Sequence, residues 1–209
     1  MIYINHRINT IEELEQVPEQ NGIELDIRYH EDQLILHHDP FNHHAQKAES
    51  FVDLLKKWRH KGPMILNIKT EGIEKKCIDL MNQYKIKSWF FLDLSMPYFV
   101  IYSNIAKNNE IEGFSPDNLA VRFSEYEPLE YALSFATKAK WIWVDCFTRM
   151  PLDQYSYDKI KQAGFKICIV SPELQKLGLL RINEFKEQLT NLPIDAVCTK
   201  RPDLWGQNL

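Results

Sequence analysis

Eight short apolar runs punctuate the chain, at residues 2–5, 23–28, 64–68, 89–94, 119–123, 141–144, 165–170 and 194–198. Each is rich in Ile, Leu, Val, Phe or Trp and too short for a buried helix, so each reads as a strand. The segments between them carry helical spacing, as at Phe51, Leu54, Leu55 and Trp58, or over residues 73–84. Strands that alternate with helices pair in parallel, and eight such units suffice for a sheet to close on itself. The expectation is a compact (β/α)8 TIM barrel of the α/β class. At 209 residues the chain lies near the ~200-residue lower limit of that architecture. It reads as one domain over 1–209, with no repeat, linker or low-complexity tract.

Local signals place the boundaries. Thr10 followed by Glu13 is a capping-box pattern for a short helix, which Pro18 and Asn21-Gly22 terminate. Polar residues between Arg28 and Leu34 make a turn, and residues 34–36 form another extended run. This is a small hairpin extension after the second strand, and it carries His38 back towards that strand. Asn42, His43, His44 and Gln46 read as loop, with the two histidines within reach of a substrate. Pro97 suits the first turn of a helix, residues 108–118 read as loop, Gly164 as a helix stop, and residues 177–189 as largely helical.

Composition excludes several classes. A net charge of −4, with no Lys/Arg stripe interleaved with aromatics, argues against nucleic-acid binding. No window approaches the ~20 apolar residues of a membrane span, and the N-terminal apolar run is too short for a signal peptide. Cys77, Cys146, Cys168 and Cys198 show no zinc spacing; they read as buried thiols, and the expected compartment is the cytoplasm.

The polar residues at the strand ends carry the chemistry. Glu24 and Asp26 are alternate residues of one strand and share a face, with Leu25 and Ile27 on the other. Two adjacent carboxylates repel, and one keeps its proton unless a cation lies between them. Mg²⁺ and Ca²⁺ take such oxygen ligands. Alone, the triplet equally suits a solvated strand face. Yet His6-Arg7 follows the first strand, His38-Asp39 follows the hairpin, and Asn67-Ile68-Lys69 ends the third strand. In a parallel barrel the C-terminal strand ends form the active-site rim.

Taken in order, His6-Arg7, Asn9-Thr10, Glu24-Leu25-Asp26, His38-Asp39 and Ile68-Lys69 resemble the glycerophosphodiester phosphodiesterase family, within the phospholipase-C-like phosphodiesterases. The resemblance is close over the first third of the chain and continues beyond it as strand order. It implies hydrolysis of a glycerophosphodiester or glycerol-phosphate-type linkage in a small molecule or glycan. His6 and His38 would be the acid–base pair, in an order the sequence leaves open. Glu24 and Asp26 would hold a divalent metal, Mg²⁺ or Ca²⁺, with Asn67 at the third ligand position, and Arg7 and Lys69 would bind phosphate. His38 is preferred to His37 because Asp39 follows it.

Two departures stand out. Ile8 occupies a position where the family usually has Gly, and Asn67 one where it usually has Glu, which removes a negative charge. With Trp143-Val144-Asp145 and Ser171-Pro172-Glu173, the Asn-Ile-Lys version is similar to a compact branch associated with bacterial surface-polysaccharide gene clusters.

Later strand ends offer a substrate wall: Asp93, Arg122, Glu125, Trp143, Asp145 and Glu173. Arg122 and Glu125 suit phosphate or polyol hydroxyls, and equally intra-barrel ion pairing or capping. Trp141 and Trp143 suit either packing or a sugar-facing rim. The loss of the third carboxylate also admits a non-catalytic barrel that binds a phosphorylated polyol or a partner biosynthetic enzyme. A metal-dependent amidohydrolase is the weaker option, because strand one offers one His. Oligomeric state is open.

Overall fold

The structure, a computed structural model, describes residues 1–40 and 48–206; His43, His44 and Gln46 fall outside them. Eight parallel strands form the ring: β1 (Ile2–Asn5), β2 (Gly22–His30), β5 (Met64–Ile68), β6 (Trp89–Leu92), β7 (Ala120–Phe123), β8 (Trp141–Val144), β9 (Lys166–Val170) and β10 (Ala196–Thr199). β1 pairs with both β2 and β10, so the first and last units meet. Between β6 and β7 the ladder shrinks to one parallel bridge, Phe91 to Leu119. The fold is the expected TIM-type barrel.

Helices α1 (Ile11–Gln16), α2 (Phe51–Lys57), α3 (Glu74–Gln83), α4 (Met96–Asn108), α5 (Leu129–Leu133), α6 (Gln154–Gln162) and α7 (Arg181–Gln188) supply the crossovers. The capping box forms as expected: Thr10 Oγ1 accepts from the Glu13 amide while the Glu13 carboxylate accepts from the Thr10 amide. Register keeps parity around the ring. Glu24 pairs with Ile65, Ile65 with Phe90, and Arg122 with Trp143, so these residues share the inner face. Leu25, Ile27, Leu66 and Phe91 face the helices, fully buried. Phe90 stacks on Trp141 with ring centroids 4.9 Å apart and fills the interior at the N-terminal end of the strands. The floor is therefore packed, and polar groups collect at the other end, as in barrels generally.

The hairpin extension is present. β2 runs on to His30 and turns through Glu31 and Asp32, both at positive φ (44° and 62°), into β3 (Gln33–Leu36), which pairs back on it antiparallel. Positive φ at both central residues matches the right-handed twist of the strands, so the turn forms without glycine. A two-residue strand β4 (Glu49–Ser50), which the sequence pattern did not suggest, extends the hairpin. The helix read over 177–189 begins only at Arg181. A 3-10 turn over Pro172–Gln175 precedes it, and Lys176 and Gly178 at positive φ break the path. All four cysteines are buried and free, as expected. Among the described residues no helix is long and apolar enough to cross a membrane.

Two glycines set the spacing below β2 and β5. A Cβ at Gly62 would collide with the backbone nitrogen of Gly22, and one at Gly22 with the Pro63 carbonyl. Gly62→Ala should cost about 1–3 kcal/mol or more, since backbone cannot yield as a side chain can. Urea denaturation of the variant against the native chain checks this.

Candidate active site

Glu24 and Asp26 lie inside the barrel with side chains 1% and 0% exposed. Each carboxylate is held by several partners. Glu24 Oε2 accepts the Arg7 amide at 2.8 Å, and Oε1 accepts Asn67 Nδ2 at 2.8 Å. Arg7 is at φ 56°, a left-handed conformation that a non-glycine residue adopts at a cost of about 1 kcal/mol. That bend aims its amide at Glu24. Asn9 grips Asp26 twice: Nδ2 donates to Oδ2, and Oδ1 accepts the Asp26 amide, both at 2.9 Å. Burial, then the neighbouring Asp26 charge, raises the Glu24 carboxyl to about 7 against those hydrogen bonds. Burial is the larger cause, and the repulsion expected of the pair adds to it.

His6 lies beside this acid pair, and His38 is tied to it through Arg7. His6 Nε2 lies 3.6 Å from Glu24 Oε2, and its Nδ1 is buried with no partner among the described residues. Burial, then Arg7, Lys200, His38 and Lys69, lowers its pKa to about 3, so the ring is neutral at pH 7. His38 Nδ1 meets Asp39 Oδ1 at 2.8 Å, while Nε2 makes a short hydrogen bond with Arg7 Nη2. A guanidinium cannot accept, so Nε2 is the acceptor and Nδ1 carries the proton given to Asp39. His37 instead turns its Nδ1 to the Asp39 carbonyl at 2.9 Å. Of the two histidines, His38 is the one that meets the Asp39 carboxylate and Arg7.

Lys69 Nζ lies 3.6 Å from Asp26 Oδ1 and 3.5 Å from Asp93 Oδ2. From Asp93 the charge pattern crosses to Arg122, whose Nη1 contacts Asp93 at 2.6 Å, Nη2 Asp145 at 2.7 Å and Nε Glu127 at 2.8 Å. All three guanidinium nitrogens of Arg122 are engaged in ion pairs. Asp145 also accepts from Gln175 Nε2 and the Cys146 amide.

The other wall candidates are placed differently. The Glu125 carboxylate accepts the amides of Phe147, Thr148 and Arg149 and the Thr148 hydroxyl. Desolvation opposes these bonds, yet they bring it down to about 2; it ties down the loop after β8. Glu173 accepts from the Thr199 and Ser171 hydroxyls and the Lys200 amide, and so joins the loops after β9 and β10. Trp143 is buried in the interior rather than at a rim.

Two site residues lacked a role in the sequence reading. Arg28 donates to the Lys69 carbonyl at 3.0 Å and to the His38 carbonyl at 2.9 Å, so it fastens the end of β5 to the segment that bears His38. Its signal was the alternation Glu24, Asp26, Arg28 on one strand face. Glu127 had no signal, since nothing in its spacing from Arg122 marks a pair.

Among the described residues no three His, Cys, Asp or Glu side chains form a metal-binding group. The oxygen donors are two carboxylates and one amide. Asp26 Oδ1 and Asn67 Oδ1 are both buried without a hydrogen-bond partner among the described residues. Buried oxygens that accept no hydrogen bond, with Lys69 as the one cation near Asp26 Oδ1 among the described residues, suit a hard cation.

Solved structures share this fold. A glycerophosphodiester phosphodiesterase from Agrobacterium tumefaciens superposes with a TM-score of 0.71 at 15% identity, over 99% of this chain and 100% of that one. A glycerophosphoryl diester phosphodiesterase from Parabacteroides distasonis gives 0.65 at 12%, over 97% and 84%. Tryptophan synthase subunit alpha from Campylobacter jejuni gives 0.56 at 13%, over 99% and 90%. Identities this low establish the barrel, which hosts many chemistries. No protein-family model and no curated protein sequence matches the chain.

Asn9→Ala would leave the Asp26 amide and one carboxylate oxygen unpaired. Stability should fall by about 1–3 kcal/mol, measured by chemical denaturation, with Asn9→Ser recovering part of the loss.

Proposed function

We propose that the chain is a metal-dependent phosphodiesterase acting on a glycerophosphodiester or glycerol-phosphate-type linkage. The observation that supports it best is the gathering of His6, Arg7 and Lys69 around the buried Glu24–Asp26 pair at the C-terminal mouth of the barrel, with His38 joined to them through Arg7. The named phosphodiesterases of the same fold add support. The polysaccharide setting suggested by the Asn-Ile-Lys motif is part of the proposal.

Phosphodiester cleavage requires neutralised phosphoryl oxygens, a base for the attacking oxygen and an acid for the leaving alkoxide. Arg7 and Lys69 supply the fixed positive charge, Arg7 with geometry for two parallel hydrogen bonds. When a phosphate takes up Arg7, His38 Nε2 is released. His38, oriented by Asp39 through Nδ1, can then exchange a proton through Nε2 and is assigned the acid. His6, buried and beside Arg7, Lys200 and Lys69, favours the neutral ring and is assigned the base. Glu24, Asp26 and Asn67 would hold Mg²⁺ or Ca²⁺, which would withdraw charge from the phosphoryl group.

A second reading, a barrel that binds a phosphorylated polyol without turnover, draws on one observation. Asn67 donates its amide to Glu24 where a carboxylate would carry a third negative charge.

Hydrolysis of glycerophosphodiesters and bis-(p-nitrophenyl) phosphate with Mg²⁺, Ca²⁺ or Mn²⁺, each against a chelator, separates the two. The proposal expects metal-dependent turnover that His38→Ala lowers by about 10²–10⁴-fold. Binding without product favours the second reading. Calorimetry on Asn67→Glu should show tighter divalent binding than the native chain, because ligand charge sets affinity.

A further inference from the structure

Of the groups assigned as acid, base and phosphate binders, His38 alone follows no strand of the barrel ring. It follows β3, on the hairpin that carries β2 beyond its last pairing with β5, Ile27 with Ile68. His6 and Arg7 follow β1 and Lys69 follows β5, so the ring itself sets their places. A short hairpin has little stability of its own. Its tip residues reach the barrel groups in one register only if side chains fasten it there.

Arg28 fastens one side. It is half-buried at the base of the hairpin, on the strand face of Glu24 and Asp26. Its two terminal nitrogens go to two different elements, Nη2 to the His38 carbonyl and Nη1 to the Lys69 carbonyl. No carboxylate lies within ion-pair distance of it among the described residues, and its Nε is buried without a hydrogen-bond partner. A half-buried cation with no counter-charge costs stability. What arginine offers in return is a rigid fork that spans two acceptors at once.

Glu49 fastens the other side. It stands on β4 opposite Leu36, two residues before His38, and its Oε2 accepts the Ile11 amide at 2.6 Å. Ile11 opens α1 immediately after the loop that bears His6, Arg7 and Asn9. Asn9 in turn grips Asp26. The hairpin is thus tied to the end of β5 through Arg28 and to the loop after β1 through Glu49.

We propose that Arg28 and Glu49 are positioning residues, which clamp the hairpin so that His38 meets the same diester as Lys69, Arg7 and His6. Fixed placement of reacting groups of this kind is a large part of catalytic rate. The effect on turnover rests on the phosphodiesterase reading; the clamp on the hairpin does not.

The test uses the full-length chain and two readouts. The first is amide hydrogen exchange at His37, whose N–H donates to the Asp26 carbonyl at 3.0 Å. Arg28→Gln and Glu49→Ala should each speed that exchange by about tenfold or more, while amides of β8 and β9 exchange as in the native chain. Glu49→Gln keeps an acceptor and should exchange like the native chain. The second readout is a double-mutant cycle on glycerophosphodiester hydrolysis. Arg28→Gln alone should lower kcat by about 10–100-fold. In a His38→Ala background the same change should lower it by less than about threefold, because a residue that acts through His38 has nothing left to position. Arg28→Lys, which reaches one carbonyl, should recover part of kcat, and it takes the place of Arg28→Gln in both readouts if that variant does not fold. Native-rate exchange at His37 in either Arg28→Gln or Glu49→Ala overturns the proposal. So does a loss of kcat that is as large without His38 as with it. Faster exchange in the variants, with no diester turned over by the native chain, overturns the phosphodiesterase reading and leaves the clamp intact.

Discussion

Two carboxylates buried side by side on one strand face are the costliest feature of this protein. Glu24 and Asp26 have almost no contact with water, and an ionised carboxylate in that position is unfavourable unless donors and cations surround it. Much of the site answers that demand. The Arg7 amide and Asn67 serve Glu24, Asn9 serves Asp26, and Lys69 lies beside it. The burial that raises Glu24 also contributes to the low pKa of His6, so one desolvated volume shapes both groups.

The compensation extends across the barrel. Asp26, Lys69, Asp93, Arg122 and Asp145 alternate in sign from β2 to β8. Breaking one member would strand its neighbours, which is the usual consequence of partly unpairing a buried network. Two strand-end residues, Arg7 and Asp93, accept left-handed backbone so that their groups can enter it. Strain of this sort gathers where surrounding contacts over-determine the conformation, and both positions are held by several bonds. The barrel walls are ordinary apolar packing; the mouth is polar and mutually dependent.

Two oxygens in that polar mouth, Asp26 Oδ1 and Asn67 Oδ1, accept no hydrogen bond among the described residues, although Lys69 lies 3.6 Å from the first. With Asn67 in place of a carboxylate, the donor set carries less negative charge than the family resemblance implies.

Much of this protein was legible in the residues before folding. Apolar runs of strand length alternating with helical spacing marked the parallel barrel, because period and run length are local properties. The Glu24-Leu25-Asp26 alternation likewise placed both acids on one face. Parity around a closed ring decided what lay beyond that. It placed Trp143 in the interior, joined Arg122 to three carboxylates, and sent Glu125 and Glu173 to loop amides and hydroxyls. None of these pairings follows from sequence spacing, since Arg122 meets Asp93 and Asp145 only because their strand ends share one mouth. The sequence determined which groups stand at the strand ends; only the tertiary structure decided which of them face one another, because those distances are set by closure of the sheet.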